Sequence, residues 1–253
     1  MKPMPKVKFY LSSMNYSFPA IHNFLNSKSG EWDWSKFVYL EYPKLKEKLK
    51  NVKSKRERKK IEYSFFKDLL LKNEKHLFTK AKIFQKEWDK INDPVMITLS
   101  KVVEKEWPKK DIQVLALLSL NPICPRDIKK RSFEIFYKQT VEEMKATVIH
   151  ELFHFIYFEK WKEVFPKTKE SEINSPHLVW KLSEIVTGVV LNDKTIQKVF
   201  THKFKTYNEF ENQRINKRLL LSYMEEFYDR RKSFKDFLIN SHNFIKKNKE
   251  ELK

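Results

Sequence analysis

Glycine and cysteine are almost absent from this chain. Its 253 residues include 2 glycines and a single cysteine, Cys124. So little glycine argues against a glycine-rich loop that cradles phosphates and against an all-β fold. One cysteine excludes a disulfide within the chain and a zinc site built from several thiolates. The composition therefore predicts a helix-rich protein without a nucleotide-binding loop.

Long hydrophobic runs are also missing. No stretch of the sequence approaches the roughly 18 uninterrupted apolar residues of a transmembrane helix. The first residues, M-K-P-M-P-K-V-K-F-Y-L-S-S, are basic but lack the apolar run of a signal peptide. These features predict a cytoplasmic protein with no membrane partner.

Acidic residues are outnumbered by basic ones. The chain has 52 Lys and Arg against 33 Asp and Glu, a net charge of +19. A nucleic-acid-binding protein is therefore one hypothesis, with these phosphate contacts: Lys44, Lys46, Lys50, Lys53, Lys55, Arg56, Arg58, Lys59 and Lys60. Because lysine is spread along the whole chain and no nucleic-acid-binding motif is present, charge does not establish that function. A basic surface would also attract acidic peptides.

The segment 140–161, T-V-E-E-M-K-A-T-V-I-H-E-L-F-H-F-I-Y-F-E-K-W, organises the rest of the chain. Thr140, followed three residues later by Glu143, predicts a capping box at the start of a helix. Residues 147–158 are apolar or aromatic with four exceptions: Thr147, His150, Glu151 and His154. A helix that is apolar on all sides is expected to be buried, so its polar side chains need partners.

The spacing of the two histidines predicts a metal ion as that partner. Residues four apart share a helix face, so His150 and His154 can converge on one ion, and imidazole is a common zinc ligand. Glu151 lies about 100° further around the helix, where it can reach a water at the metal. H-E-x-x-H is the zinc-binding pattern of metallopeptidases. The alternative is a hydrogen-bonded pair of core histidines.

The segment Thr147–Ile156, T-V-I-H-E-L-F-H-F-I, resembles the extended signature of the zincin metallopeptidases. This resemblance implies an α-rich α+β zincin fold with a small β-sheet in an upper lobe and a helical lower lobe. It also implies one Zn²⁺ ion and a peptide or protein substrate. The metzincin branch would require a glycine and a third histidine after H-E-x-x-H, and this chain lacks that continuation.

The third zinc ligand is expected on a second helix. Glu159 and Glu163 would lie on the far side of the first helix. Ser175-Pro176 predicts the start of an apolar helix, His177–Leu191, in which Glu184 would need a cation. W-K-L-S-E-I-V-T-G resembles the glutamate helix of the gluzincin branch, to which thermolysin belongs, and implies that Glu184 is a ligand. An ion pair with Lys181 is the alternative.

Two further features follow from the gluzincin resemblance. Gly188 stands where that family often has an acid that orients a zinc-bound histidine. Gluzincins also supply a hydrogen-bond donor to the developing oxyanion, and the sequence leaves four candidates for it: His177, His202, Tyr207 and Tyr223. The sequence alone does not choose among them.

Hydrophobic patterns predict three strands and otherwise helices. The strands are 7–11, 111–120 and 132–138, and the last of them is a candidate edge to which a peptide could add. The helices are 32–42, 44–60 (a single helix or a helical hairpin), 61–71, 72–90, 94–107, 195–200, 207–230 and 233–249, besides the two described above. The predicted division is an upper lobe with the N-terminal helices, 1–161, and a lower lobe, 162–253.

Together these patterns predict a zinc metallopeptidase. His150, His154 and Glu184 would hold the ion, and Glu151 would act as the general base in amide hydrolysis. Two alternatives stay open. One is a basic nucleic-acid-binding protein, and the other is a helical module in which zinc only stabilises the fold.

Overall fold

The computed structural model describes residues 4–26, 33–108 and 113–252. Helix accounts for 63% of it and strand for 10%, which confirms a helix-rich α+β fold. None of the helices in the described residues combines the length and apolar character needed to cross a membrane.

The described residues contain eleven α-helices and six strands. The helices are α1 (Met14–Asn26), α2 (Ser35–Glu41), α3 (Pro43–Leu49), α4 (Lys55–Asp89), α5 (Asn92–Val103), α6 (Val141–Val164), α7 (Leu178–Val190), α8 (Lys194–Gln197), α9 (Asn208–Asn212), α10 (Leu220–Asp229) and α11 (Phe234–Lys247). The strands are β1 (Lys6–Leu11), β2 (Gln113–Ser119), β3 (Arg126–Asp127), β4 (Ser132–Phe136), β5 (Arg214–Ile215) and β6 (Arg218–Leu219). Short 3₁₀ turns lie at Glu170–Ile173 and Lys249–Glu251.

One compact unit contains residues 6–90 and 113–147, where they are described. Its sheet has the strand order β1-β2-β4-β3, with β1, β2 and β4 parallel and β3 antiparallel to β4. Helix α4 is tied to β1 by Gln85, which accepts from the Phe9 N–H and donates to the Val7 carbonyl. The three predicted strands are present, although residues 111 and 112 of the second lie outside the described residues.

The predicted open edge at 132–138 is wrong at its start. Strand β3 pairs with Ser132 and Phe133, so the outer side of β4 is already occupied there. The predicted helices 61–71 and 72–90 form the single long helix α4, together with the end of 44–60. Helix α4 begins after Ser54, whose Oγ accepts from the Glu57 N–H.

The second unit contains the described residues of 1–5, 91–112 and 148–253. In it α7 packs against α10 and α11, and α5 packs against α8. The predicted helix 207–230 is interrupted by the β5-β6 hairpin. Asn216 and Lys217 both have positive φ there, as a type I′ hairpin turn requires, and this conformation is incompatible with a continuous helix.

The boundary between the compact units falls inside α6, between Thr147 and Val148. The predicted lobes 1–161 and 162–253 divide the chain at a different place. The predicted lobes are the two sides of a proposed peptidase cleft, whereas the compact units reflect packing. The division into lobes stays a prediction.

Candidate metal centre

The start of α6 is fixed by the predicted capping box. The Thr140 N–H donates to Glu143 Oε2 over 2.7 Å, and the Glu143 N–H donates to Thr140 Oγ1 over 3.2 Å. The hydrogen bonds that the Thr140 N–H and hydroxyl donate to the carboxylate lower the pKa of Glu143 and keep this carboxylate charged at the positive end of the helix dipole. The cap fixes where α6 begins and hence the register of the histidines on it.

The middle of α6 is buried, as the sequence predicted. Val148, Ile149, Leu152 and Phe153 are completely inaccessible to solvent. Burial of so much apolar surface stabilises this helix by roughly 1.5–3 kcal/mol per large side chain. The polar side chains of the H-E-x-x-H segment are therefore held on a rigid and largely dry element.

The structure brings His150 and His154 together with Glu184 of α7. The two histidine Nε2 atoms are 2.9 Å apart, and Glu184 Oε2 lies 3.5 Å from His150 Nε2 and 3.4 Å from His154 Nε2. These three side chains form a group that could hold a metal ion. The side chains of His154 and Glu184 are 0% and 2% exposed, whereas His150 is 27% exposed. The cluster is therefore buried on one side and reached by solvent on the other.

The donor atoms fit a zinc ion in type and in spacing. Zinc binds imidazole nitrogen and carboxylate oxygen at about 2.0–2.2 Å, so the edges of a tetrahedral site are about 3.3–3.6 Å long. The two edges to Glu184 have this length, and the edge between the histidines is somewhat shorter. Two histidines and one carboxylate are also a known ligand set of catalytic zinc sites.

The alternative of a hydrogen-bonded histidine pair explains part of this geometry. The 2.9 Å separation of the Nε2 atoms suits an N–H···N hydrogen bond between neutral imidazoles. A carboxylate that neutralised a charged imidazole would approach it to about 2.7–2.9 Å. Glu184 Oε2 instead stays at 3.4–3.5 Å from both rings. Nearly equal distances of that length are typical of ligands around a shared ion.

Glu151 lies beside the three proposed ligands. Its Oε1 is 3.9 Å from His150 Nε2, and its side chain is buried. The carboxylate is outside the ligand group, as the rotation of one residue along the helix predicts. It is close enough for a single water to bridge it to the centre of the group.

Helix α7 carries Glu184 on a buried stretch that includes Leu182, Ile185 and Val186. The helix begins at Leu178 with His177 as N-cap, so the predicted start signal, Ser175-Pro176, lies just before it. This shift does not move Glu184 from the buried face.

Glu163 forms ion pairs with two lysines, which agrees with the prediction that it is not a metal ligand. Its carboxylate pairs with Lys105 at 2.8 Å and with Lys160 at 3.0 Å. These two ammonium groups lower the pKa of Glu163 to about 2. The Glu163 carboxylate, near the end of α6, is thus anionic and paired with both lysines.

Of the four candidate oxyanion donors, Tyr207 belongs to the segment that is hydrogen-bonded to α7 at Glu184. Its neighbour Thr206 donates from Oγ1 to the Glu184 carbonyl over 2.8 Å. The Tyr207 ring packs against Trp180, one turn before Glu184 on α7, with ring centroids 6.3 Å apart. Tyr207 therefore lies against the helix that carries the carboxylate.

The contacts of the other three candidates lie elsewhere. Tyr223 packs on Phe244, and its hydroxyl faces the Ile215 carbonyl at 3.5 Å. His202 stacks on Phe200, and His177 is exposed at the start of α7. These contacts do not involve a proposed ligand.

Sequence reasoning missed the side chains that bind the backbone of α7. Thr206 donates to the Glu184 carbonyl, 22 residues earlier in the chain. Asn192 donates to the Gly188 carbonyl, 4 residues earlier. Asn192 directly follows the predicted helix His177–Leu191. A polar residue directly after an apolar helix can cap the last carbonyls of that helix, so the position of Asn192 gave a usable signal. No local signal identifies Thr206.

Comparison of the chain with protein-family models, with curated proteins and with solved structures finds no match.

Proposed function

We propose that this protein is a zinc-dependent peptidase of the gluzincin type. The observation that carries the proposal is the convergence of His150, His154 and Glu184, from two helices, with Glu151 beside them. The H-E-x-x-H spacing by itself accounts for the two histidines only. The carboxylate from α7, facing both rings, supplies the third donor that a catalytic zinc site requires.

The ligand number and the exposure of the cluster favour a catalytic site over a structural one. Structural zinc sites are closed by four protein ligands, whereas catalytic sites use three and leave one position open. Among the described residues the cluster has three such side chains. Its solvent-exposed member, His150, marks the side from which a substrate could approach.

A bound zinc ion would supply Lewis acidity at this position, where it lowers the pKa of water and polarises a carbonyl group. In the proposed reaction Glu151 accepts a proton from the attacking water at a carboxylate oxygen. It then delivers this proton to the leaving nitrogen of the peptide. Burial of Glu151 holds the carboxylate in one place, which favours both transfers.

Tyr207 is the proposed donor to the oxygen that becomes negatively charged. A phenol O–H aimed at this oxygen would stabilise the transition state more than the substrate, which is how such donors accelerate the reaction. Its support is the packing of Tyr207 against α7 beside the Glu184 turn. The proposed substrates are peptides or proteins, and the proposed location is the cytoplasm.

The experiment that tests this function is Glu151→Gln. Because Glu151 would act on the water and is not a ligand, the variant should retain zinc and its melting temperature. Cleavage of a mixed peptide library should fall by at least about 100-fold, the low end for a positioned general base. Glu159→Gln, on the same helix but outside the ligand group, is the matched control and should cleave normally.

Two results would oppose the proposal. An undiminished cleavage rate in Glu151→Gln would refute the assigned mechanism. Loss of zinc and of thermal stability in the same variant, with no activity in the parent, would identify a structural site in which Glu151 anchors a ligand.

A further inference from the structure

An extended segment crosses helix α7 beside the metal centre. This segment, residues 202–207, is called the strap below. Its first residue is held at both backbone groups by Gln197: the His202 N–H donates to Gln197 Oε1 over 3.0 Å, and Gln197 Nε2 donates to the His202 carbonyl over 2.7 Å. Gln197 Nε2 also donates to the Leu191 carbonyl over 2.9 Å. The start of the strap is thereby joined to the end of α7.

Asn192 holds the middle of the strap in the same way. Its Oδ1 accepts from the Phe204 N–H over 3.0 Å, and its Nδ2 donates to the Phe204 carbonyl over 2.9 Å. The same Nδ2 is 2.5 Å from the Gly188 carbonyl, to which it donates. The Asn192 side chain therefore hydrogen-bonds to both backbone groups of Phe204, as a neighbouring β-strand would. It also joins the strap to the Gly188 carbonyl, one turn after Glu184.

Thr206 completes the attachment at the ligand itself. Its Oγ1 donates to the Glu184 carbonyl over 2.8 Å. A carbonyl oxygen can accept two hydrogen bonds, so this contact adds to the helical bond that Glu184 makes. The Glu184 and Gly188 carbonyls lie at the two ends of one helical turn. Each of them accepts a hydrogen bond from a side chain outside α7.

Gly188 provides the space for this arrangement. A β-carbon at Gly188 would lie 3.4 Å from the Thr206 nitrogen, 3.6 Å from the Lys205 carbonyl carbon and 3.7 Å from the Phe204 oxygen. A methyl group would make ordinary van der Waals contacts with the backbone of the strap, so the strap lies directly over this position. The glycine that departs from the gluzincin pattern is therefore the position at which the strap backbone packs closely on α7.

We propose that the strap is a positioning device for the zinc ligand Glu184, and that Thr206 and Asn192 are its positioning residues. This inference rests on the proposed function. The physical reason is that one turn of α7, fixed at both carbonyls, leaves the Glu184 carboxylate fewer ways to turn away from the histidines. Because Tyr207 follows Thr206 directly, the same attachment fixes the phenol relative to the ligand.

The first test compares Thr206→Val with Thr201→Val. Both changes remove a hydroxyl that donates to a carbonyl, but the acceptor of Thr201 is the Gln197 carbonyl, which is outside α7. Removal of an outer partner of a metal site typically costs 10- to 100-fold in metal affinity. We expect Thr206→Val to bind zinc about 10-fold more weakly, measured by competition with a chelator. Thr201→Val should match the parent, and Thr206→Ser, which restores the donor, should recover the affinity.

The second test uses Asn192→Ala, in case Thr206→Val does not fold. Its matched control is Asn212→Ala, because Asn212 donates to the Asn208 carbonyl at an exposed site on α9. Asn192→Ala should weaken zinc binding and should speed hydrogen exchange at the Phe204 amide.

These outcomes separate the strap from the peptidase activity. Zinc affinity is measured without substrate, so it does not depend on catalysis. Equal zinc affinities for Thr206→Val, Asn192→Ala and their controls would overturn the positioning role while the proposed function stands. A parent protein that does not bind zinc would refute the proposed metal centre and the positioning role together.

Discussion

His154 Nε2 lies 3.4 Å from Glu184 Oε2, and both side chains are shielded from solvent. The two residues belong to different helices, α6 and α7. A buried carboxylate is costly unless a cation or hydrogen-bond donors compensate its charge. The contact therefore ties the proposed metal site to the packing of the second unit, since any movement of α7 against α6 would change this distance.

The assignment of Glu184 as a ligand predicts the behaviour of Glu184→Gln. A neutral amide replaces an anionic oxygen, so zinc affinity should fall sharply. We expect a loss of about 10-fold or more, because changes in the partners of zinc ligands already cost about that much. Metal content after purification is the measurement. Glu172→Gln, on the 3₁₀ turn before α7, is the control and should retain zinc. Full zinc in Glu184→Gln together with loss in Glu172→Gln would transfer the ligand to that turn.

Tyr207 and Tyr223 form a matched pair for the oxyanion donor. Tyr207→Phe removes one hydroxyl beside α7 and should lower kcat by about 10²-fold or more, the scale for loss of one oxyanion donor, with zinc content and KM little changed. Tyr223→Phe removes a hydroxyl that faces the Ile215 carbonyl and should leave kcat unchanged. The reverse pattern would show that Tyr223 carries the role.

Glu134 on β4 predicts a pH dependence of stability in the sheet-containing unit. Burial raises the pKa of its carboxyl from 4.5 to about 7, although Ser119, Ser17 and Asn121 oppose the rise. The folded state therefore binds this proton more tightly than the unfolded chain does. Stability should fall as the pH rises from about 4.5 to about 7, by a total of about 3 kcal/mol.

Glu134→Gln should remove that decline, because the amide stays neutral at every pH. Urea unfolding at pH 5 and at pH 8 measures the effect, and the variant should gain stability relative to the parent at the higher pH. The exposed Glu74→Gln is the control and should follow the parent. Parallel pH profiles of Glu134→Gln and the parent would contradict the assignment.

The basic segment 44–60 predicts weak, salt-dependent binding of nucleic acid. Its lysines and Arg56 are exposed, whereas Arg58 is partly buried and donates to Tyr39 Oη and to the Leu49 carbonyl. Affinity should fall steeply between about 50 and 200 mM salt, because released counterions drive such binding. Replacement of Lys59 and Lys60 by alanine should weaken binding, and Arg58→Ala should mainly lower the melting temperature.

Electrophoretic mobility shifts at several salt concentrations are the measurement. Tight binding with a sequence preference, retained after removal of zinc, would make nucleic-acid binding the main function. Salt-sensitive binding without a sequence preference is the expected outcome.

Local sequence was sufficient for the elements whose formation depends on neighbouring residues. The capping box of Thr140 and Glu143 and the buried face of α6 follow from spacing along one helix. The same applies to strands β1 and β4, whose apolar patterns lie within a few residues. Local sequence was insufficient where backbone conformation overrides helical periodicity, as at Asn216 and Lys217, where the β5-β6 hairpin interrupts a predicted helix.

The sequence by itself determined that His150 and His154 share one face of a buried helix with Glu151 beside them, because a helix repeats every 3.6 residues. Tertiary structure alone decided that Glu184 reaches both rings, since that distance depends on how α7 packs. It also decided that the strap crosses α7 at Gly188 and that Thr206 binds the Glu184 carbonyl. Contacts between residues far apart in the chain are set by packing, which no local periodicity encodes.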